Sequence, residues 1–307
     1  MRRLIAAVFG LFALFLMPSA AHAWGESGHY ATCEIAYLNL TPKAKAEVDR
    51  LIAVGGGYPT FTQSCTFPDK PRQRASEHFA NYARTVRRVT GPGCPGGRPC
   101  VITAIDNDLA ILRSATATDA EKSAALKFIG HWFGDIHQPL HISFADDQGG
   151  NQIDESGPCD FGLHAVWDTC IVERRVFAPG TDRYARAQEA AARLNATITR
   201  GNRILWIRDK PWQWAAESYE IATRVQTGYC IGMMMPASCW YSPTKEHYVS
   251  GDPKRVQLVD DAYLDWARII VEDRLKRAGI RLADALNRSF DPAYVPAANP
   301  TRHHRGH

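Results

Sequence analysis

TDAEKSAALKFIGHWFGDIHQPLH, residues 118–141, decides the fold class. Thr118 followed three residues later by Glu121 is a capping box, the mark of a helix start. Behind it Ala125, Ile129, Trp132, Phe133 and Ile136 recur at helical spacing, and Pro139 ends the run. His131 and Asp135 stand four residues apart within this helix, so both side chains project from one face. His141 follows directly after Pro139, where the chain must change direction.

Helical signals dominate on either side. Thr41-Pro42 reads as an N-cap with proline at the first helical position, opening a helix to about Val54. Asp182 to about Arg200 is Ala-rich and amphipathic, and Trp212 to Gln226 is another helix. Leu258 to Lys276 and Ile280 to Asn287 read as two helices separated by Gly279. No alternating strand pattern of useful length is present. Long loops at 55–71 and 91–99 carry cysteines, glycines and prolines. The expectation is one mostly α-helical domain over residues 24–291, with a frayed tail at 292–307.

Residues 1–23 form a secretory signal: Arg2 and Arg3, an apolar run from Leu4 to Met17, and the small-x-small site Ala21-His22-Ala23. Cleavage there leaves a mature chain starting at Trp24 and destined for the periplasm or the medium. Nothing later approaches the roughly 20 apolar residues of a membrane span. The full chain carries a formal charge of +4, two units of it in the signal. Such a balance excludes gripping nucleic acid by bulk charge, so any anion binding must be local. All 8 cysteines follow the signal, an even number in an exported chain, which points to disulfides. Cys94 and Cys100 close the short loop GCPGGRPC, and Cys159/Cys170 and Cys230/Cys239 are further candidate pairs. A zinc ribbon is excluded by the lack of any Cys-x-x-Cys.

LHAVWD, residues 163–168, repeats the spacing of His131 and Asp135 with His164 and Asp168. An imidazole and a carboxylate one helical turn apart can converge on a borderline cation such as zinc. Either pair alone is as readily a core histidine with a satisfied partner. Two pairs with His141 between them favour a metal centre.

WGESGH at residues 24–29, FIGHWFGDIHQPLH at 128–141, DQGGN at 147–151 and LHAVWD together resemble the S1/P1 nuclease family. These are secreted zinc-dependent nucleases that share an α-helical fold with bacterial phospholipase C. The resemblance implies that fold, with long disulfide-bearing loops, and three Zn²⁺ per chain. One ion would be held by the α-amine and carbonyl of Trp24 with His29, bridged by Asp135 to a second ion held by Asp69, His78 and His131. His141, His164 and Asp168 would hold the third. Asp69 stands in Phe67-Pro68-Asp69 where the family has Trp-Ala-Asp, and Gly162 replaces a common asparagine. Without its partners, Trp24 would read as an aromatic packed on the core.

The activity implied is hydrolysis of single-stranded DNA and RNA to 5′-phosphate products, with 3′-nucleotidase activity. Asp135 and Asp69 would be catalytic, Asp69 orienting the attacking water. Arg72 matches a phosphate-contacting position, or is a solvated loop arginine. Phe79 matches an aromatic that stacks an unpaired base, or is a core residue. Asn81 stands where relatives often have aspartate. Asn151 lies near the phosphate or serves a turn with Gly149 and Gly150. His137 and His247 read as structural. The expected partners are single-stranded nucleic acids and 3′-nucleotides, acted on by a monomer without stable membrane association. A phospholipase C-type headgroup hydrolase and a non-catalytic zinc-binding protein are the competing readings.

Overall fold

The computed structural model describes residues 24–233 and 238–298, so the signal segment lies outside the described residues. Ten α-helices occur among them: α1 (Glu26–Leu38), α2 (Pro42–Gly55), α3 (Phe61–Ser64), α4 (Val101–Arg113), α5 (Asp119–Asp135), α6 (Leu163–Ala165), α7 (Arg183–Ala196), α8 (Arg200–Trp206), α9 (Pro211–Ala222) and α10 (Asp261–Phe290). None is long and apolar enough to cross a membrane.

Local chemistry explains most starts and stops. The Thr41 hydroxyl accepts from Ala44 N at 3.2 Å with Pro42 at the first position, and Gly56 at φ 59° ends α2. At α5 the capping box is complete: Glu121 N donates to the Thr118 hydroxyl at 3.3 Å, and Thr118 N donates to Glu121 at 2.8 Å. The helix expected from Asp182 to about Arg200 is α7 and stops at Ala196; a further helix, α8, starts at Arg200, where Thr199 accepts from Asn202 N. Helices α1 and α4 were not anticipated.

Gly279 does not divide the last helix. Instead α10 runs unbroken for 30 residues, and its glycine is where α1 comes closest. A Cβ there would lie 2.5 Å from Ile35 Cγ2 and 3.0 Å from Thr32 O. The glycine is a packing requirement, with tertiary contact overriding the local preference for a break. Around this axis α1 packs on α7 and α10, and α5 packs on α2, α4 and α10. The core between them is apolar and fully buried at Leu126, Ile129, Phe133 and Leu282.

Three two-stranded pairs, none foreseen, fasten loops together. Ala80–Tyr82 pairs in parallel with Ile142–Phe144, and Ile153–Ser156 in parallel with Arg255–Leu258. Ile231–Met233 pairs antiparallel with Ser238–Trp240. Strands of three or four residues with distant partners leave too short a pattern for sequence to reveal. The disulfides Cys94–Cys100, Cys159–Cys170 and Cys230–Cys239 occur as expected, and Cys33–Cys65 joins α1 to the end of α3.

Beneath α5 lies a buried ionic cluster. Glu217 on α9 accepts from Arg281 at 2.7 Å and Arg274 at 2.6 Å, both on α10. Arg281 also donates to His137 Nε2 at 2.8 Å, and Arg274 to the His137 carbonyl at 3.1 Å. His137 Nδ1–H donates to Phe133 O at 2.7 Å, so this imidazole is structural and neutral. Burial opposes ionisation of Glu217, but the two guanidinium groups pull its pKa from 4.5 to about 2.

Two outcomes test this packing. Gly279→Ala, which in an exposed helix would stabilise, should lower stability by about 1–3 kcal/mol through overpacking, measured by denaturant unfolding. Glu217→Gln should cost about 3 kcal/mol at pH 7 because two buried guanidiniums lose their counter-charge. The stability Glu217 contributes is present above pH 4.5 and lost as pH falls toward 2, so unfolding of the variant should be flatter across that window.

Candidate metal centre and substrate cleft

Six separate segments deliver the candidate ligands. His29 comes from the first turn of α1 and Asp69 from a tight loop in which Gln73 N returns to Pro68 O at 2.6 Å. His78 ends a short 3-10 turn, and α5 supplies His131 and Asp135. His141 ends the turn after Pro139, and His164 and Asp168 lie where α6 passes into π-helical turns. The parallel pair of 80–82 with 142–144 brings the His78 and His141 segments side by side.

The structure gathers these residues into three groups: His29, His131 and Asp135; Asp69, His78 and His131; His141, His164 and Asp168. Asp135 sits at their junction. Its Oδ1 lies 3.5 Å from His29 Nε2, and its Oδ2 lies 3.3 Å from both His78 Nδ1 and His131 Nε2. Asp69 is 3.7 Å from His78 and 3.8 Å from His131. Asp168 is 3.6 Å from His141 Nε2 and 3.3 Å from His164 Nε2.

Backbone carbonyls settle the tautomers. His131 Nδ1–H donates to Cys65 O at 2.8 Å, His78 Nε2–H to Gln73 O at 2.9 Å, His141 Nδ1–H to His78 O at 2.8 Å and His164 Nδ1–H to Gly149 O at 2.6 Å. Each ring therefore turns its other nitrogen, with a lone pair, into the cluster. His131 Nε2 and His78 Nδ1 then face one another at 3.1 Å, lone pair to lone pair, beside the Asp135 carboxylate. Both ring nitrogens of His29, both oxygens of Asp135, Asp69 Oδ1 and Asp168 Oδ2 are buried with no hydrogen-bond partner. A cation is what such an array lacks, and neutral imidazoles with carboxylates are the donor set zinc takes.

Burial and the neighbouring charges divide the histidines. Burial drives His29 well below its ordinary pKa, and lowers His78 and His164. Burial acts the same way on His131 and His141, but the adjacent Asp135 charge outweighs it and raises both. Burial opposes ionising Asp135, yet His131, His141 and His78 around it hold its carboxyl well below the usual range.

Trp24 is fully buried, and Gly25 N donates to Asp168 O at 2.8 Å, docking the start of the described chain onto the third group. Gly134 makes room for this: a Cβ there would lie 2.8 Å from His29 Nδ1 and 3.4 Å from Trp24 Cδ1. Sequence reasoning missed Gly134 and also Gln138. The Gln138 amide donates to Asp168 Oδ1 while its oxygen accepts from Leu140 N at 2.5 Å. Its one visible signal is its place as a polar residue directly before Pro139.

A cleft of about 780 Å³ opens beside His141 and His164. Arg72, Phe79, Asn81 and Asn151 all line it, and no aspartate or glutamate does. The Cys94–Cys100 loop, which sequence reasoning treated only as a disulfide framework, contributes Pro95, Gly96, Arg98 and Pro99. Asn151 also closes the turn, donating to Gln148 O at 2.8 Å.

The model of the S1/P1 nuclease family matches residues 24–291. Endonuclease 2 of Arabidopsis thaliana is 29% identical, the match covering 92% of this chain and 96% of the plant protein. Nuclease P1 of Penicillium citrinum is 25% identical over 60% of this chain and 72% of its own. Nuclease S1 of Aspergillus oryzae is 26% identical over 52% and 58%.

Gln138→Leu keeps every candidate ligand but releases Asp168. It should weaken zinc binding to the His141, His164 and Asp168 group by about 10–100-fold in a competition titration. Unfolding measured in chelator should shift by only about 1 kcal/mol, the value of the lost cap.

Proposed function

Because the chain belongs to the S1/P1 nuclease family, it is a phosphodiester hydrolase of nucleic acids, and we propose that it is a secreted three-zinc enzyme that cuts single-stranded DNA and RNA to 5′-phosphate products and also acts as a 3′-nucleotidase. The observation that carries this reading is the meeting of a buried His/Asp cluster with a cleft that holds two arginines, an aromatic ring and no carboxylate. Removal of residues 1–23 would free the α-amine of Trp24, which with the Trp24 carbonyl and His29 completes a ligand set that an amide nitrogen could not complete.

Bound zinc would supply positive charge to the phosphate and lower the pKa of a water at neutral pH. The chain's own side chains would do the rest. Asp135 spans two of the groups, one oxygen toward His29 and the other toward His78 and His131. Asp69, at the edge of that pair, is placed to accept a hydrogen bond from the attacking water and hold its direction. Arg72 on the cleft wall would neutralise the phosphate, as a planar guanidinium can bind two of its oxygens. Phe79, next in the chain to His78, offers a ring face that only an unpaired base can reach, hence the preference for single strands. Asn81 and Asn151 supply amides to the base and the phosphate.

The test starts from the signal-cleaved protein. Elemental analysis should find three zinc ions per chain, and turnover of single-stranded DNA and RNA should exceed that of duplex DNA and of phosphatidylcholine vesicles. Asp135→Asn should lose zinc and abolish turnover, and one extra residue before Trp24 should cost one zinc and most of the activity. Normal zinc content and turnover in both variants would overturn the assignment.

A further inference from the structure

We propose that Arg98, carried on the Cys94–Cys100 loop, is a second phosphate-binding residue that engages a neighbouring phosphodiester of a bound strand rather than the one being cleaved. The inference rests on the nuclease reading and deepens it, by making a strand of several nucleotides the preferred substrate.

Arg98 lines the cleft, is exposed and makes no hydrogen bond or ion pair with any described residue. Elsewhere in the molecule many arginines are paired: Arg50 with Glu47 and Asp119, Arg74 with Asp108, Arg183 with Glu26. Arg98 finds no carboxylate in the cleft lining, which leaves it open to an incoming anion.

The backbone that carries it is constrained. A disulfide closes it over a separation of 6 residues, Pro95 and Pro99 limit φ, and Gly96 and Gly97 take the positive φ of 62° and 68° that its tight turn needs. Gly97 N donates to Cys94 O at 3.2 Å across the turn. Its far end is tied to the proposed base platform, since Val101 N donates to Phe79 O at 3.3 Å. A rigid backbone removes the loop's share of the ordering cost, so only the side chain itself is ordered on binding.

Position separates its role from that of Arg72. Arg72 is bridged through its backbone to Asp69, beside the candidate metal ligands, whereas the loop of Arg98 is tied to the Phe79 segment. A strand lying along the cleft would thus meet Arg72 beside the metal ligands and Arg98 on the loop beside Phe79, at different phosphates.

The experiment compares wild type, Arg98→Ala and Arg98→Lys on a longer oligothymidylate and on a dinucleoside monophosphate, which has a single phosphate. Arg98→Ala should lower kcat/KM on the oligonucleotide about tenfold, mostly through KM, and leave the dinucleoside unchanged. Between 50 and 200 mM salt the log–log slope for the oligonucleotide should become shallower by about 0.7, one phosphate contact on a single strand. Arg98→Lys should restore that slope, because the charge is kept. Equal losses on both substrates, or an unchanged slope in Arg98→Ala, would overturn the inference while leaving the nuclease reading intact. A wild-type enzyme that cleaves neither substrate would instead overturn the reading and the inference with it.

Discussion

Two imidazole nitrogens, His131 Nε2 and His78 Nδ1, point lone pairs at each other across 3.1 Å beside a buried carboxylate, and the rest of the molecule is arranged around holding them there. Left alone, each buried unpaired group of this kind costs about 1–3 kcal/mol. The arrangement persists because the opposite nitrogen of each ring is anchored to a carbonyl the fold cannot easily move. Cys65 O is fixed by the disulfide to Cys33, a crosslink worth about 3–4 kcal/mol for a loop of this length in the chain-entropy account. His78 O, which fixes His141, belongs to the segment paired with residues 142–144.

The helix carrying His131 and Asp135 is clamped on both sides. Above it, Trp132 Nε1–H donates to Asp108 at 2.8 Å, and Asp108 is gripped by Arg74, which opens the short turn leading to His78. Below it, His137 and its carbonyl are tied through Arg281 and Arg274 to Glu217. Buried ion pairs of this sort are weak contributors to net stability, and their use here is to fix the end of α5 in one position. A ligand displaced by a fraction of an ångström is a ligand lost, so rigidity at this point serves the site.

Charge is distributed to the same end. The chain as a whole is close to neutral, with 36 basic and 32 acidic side chains, so long-range attraction for a polyanion is slight. Locally the acidic groups are kept under the cleft, where Asp69, Asp135 and Asp168 face the histidines, while the lining itself offers guanidinium groups, an aromatic ring and amides. A phosphodiester would therefore be attracted by the local charge of the cleft rather than by the net charge of the chain.

What the sequence by itself determined was much of what local chemistry controls. The capping box at Thr118 and Glu121, the Thr41-Pro42 start and the four-residue spacings of His131 with Asp135 and His164 with Asp168 act within one helical turn, and they were readable there. The family motifs named the remaining candidate ligands, and tertiary structure gathered them, since the six segments meet through helix packing, a disulfide and a three-residue strand pair. Tertiary structure also decided that α10 runs through Gly279, because Ile35 and Thr32 of α1 occupy the space a side chain would need. It decided the imidazole tautomers, set by carbonyls up to 66 residues away, and it turned Arg98 into the cleft. These features depend on contacts between residues distant in the chain, and no local pattern records such contacts.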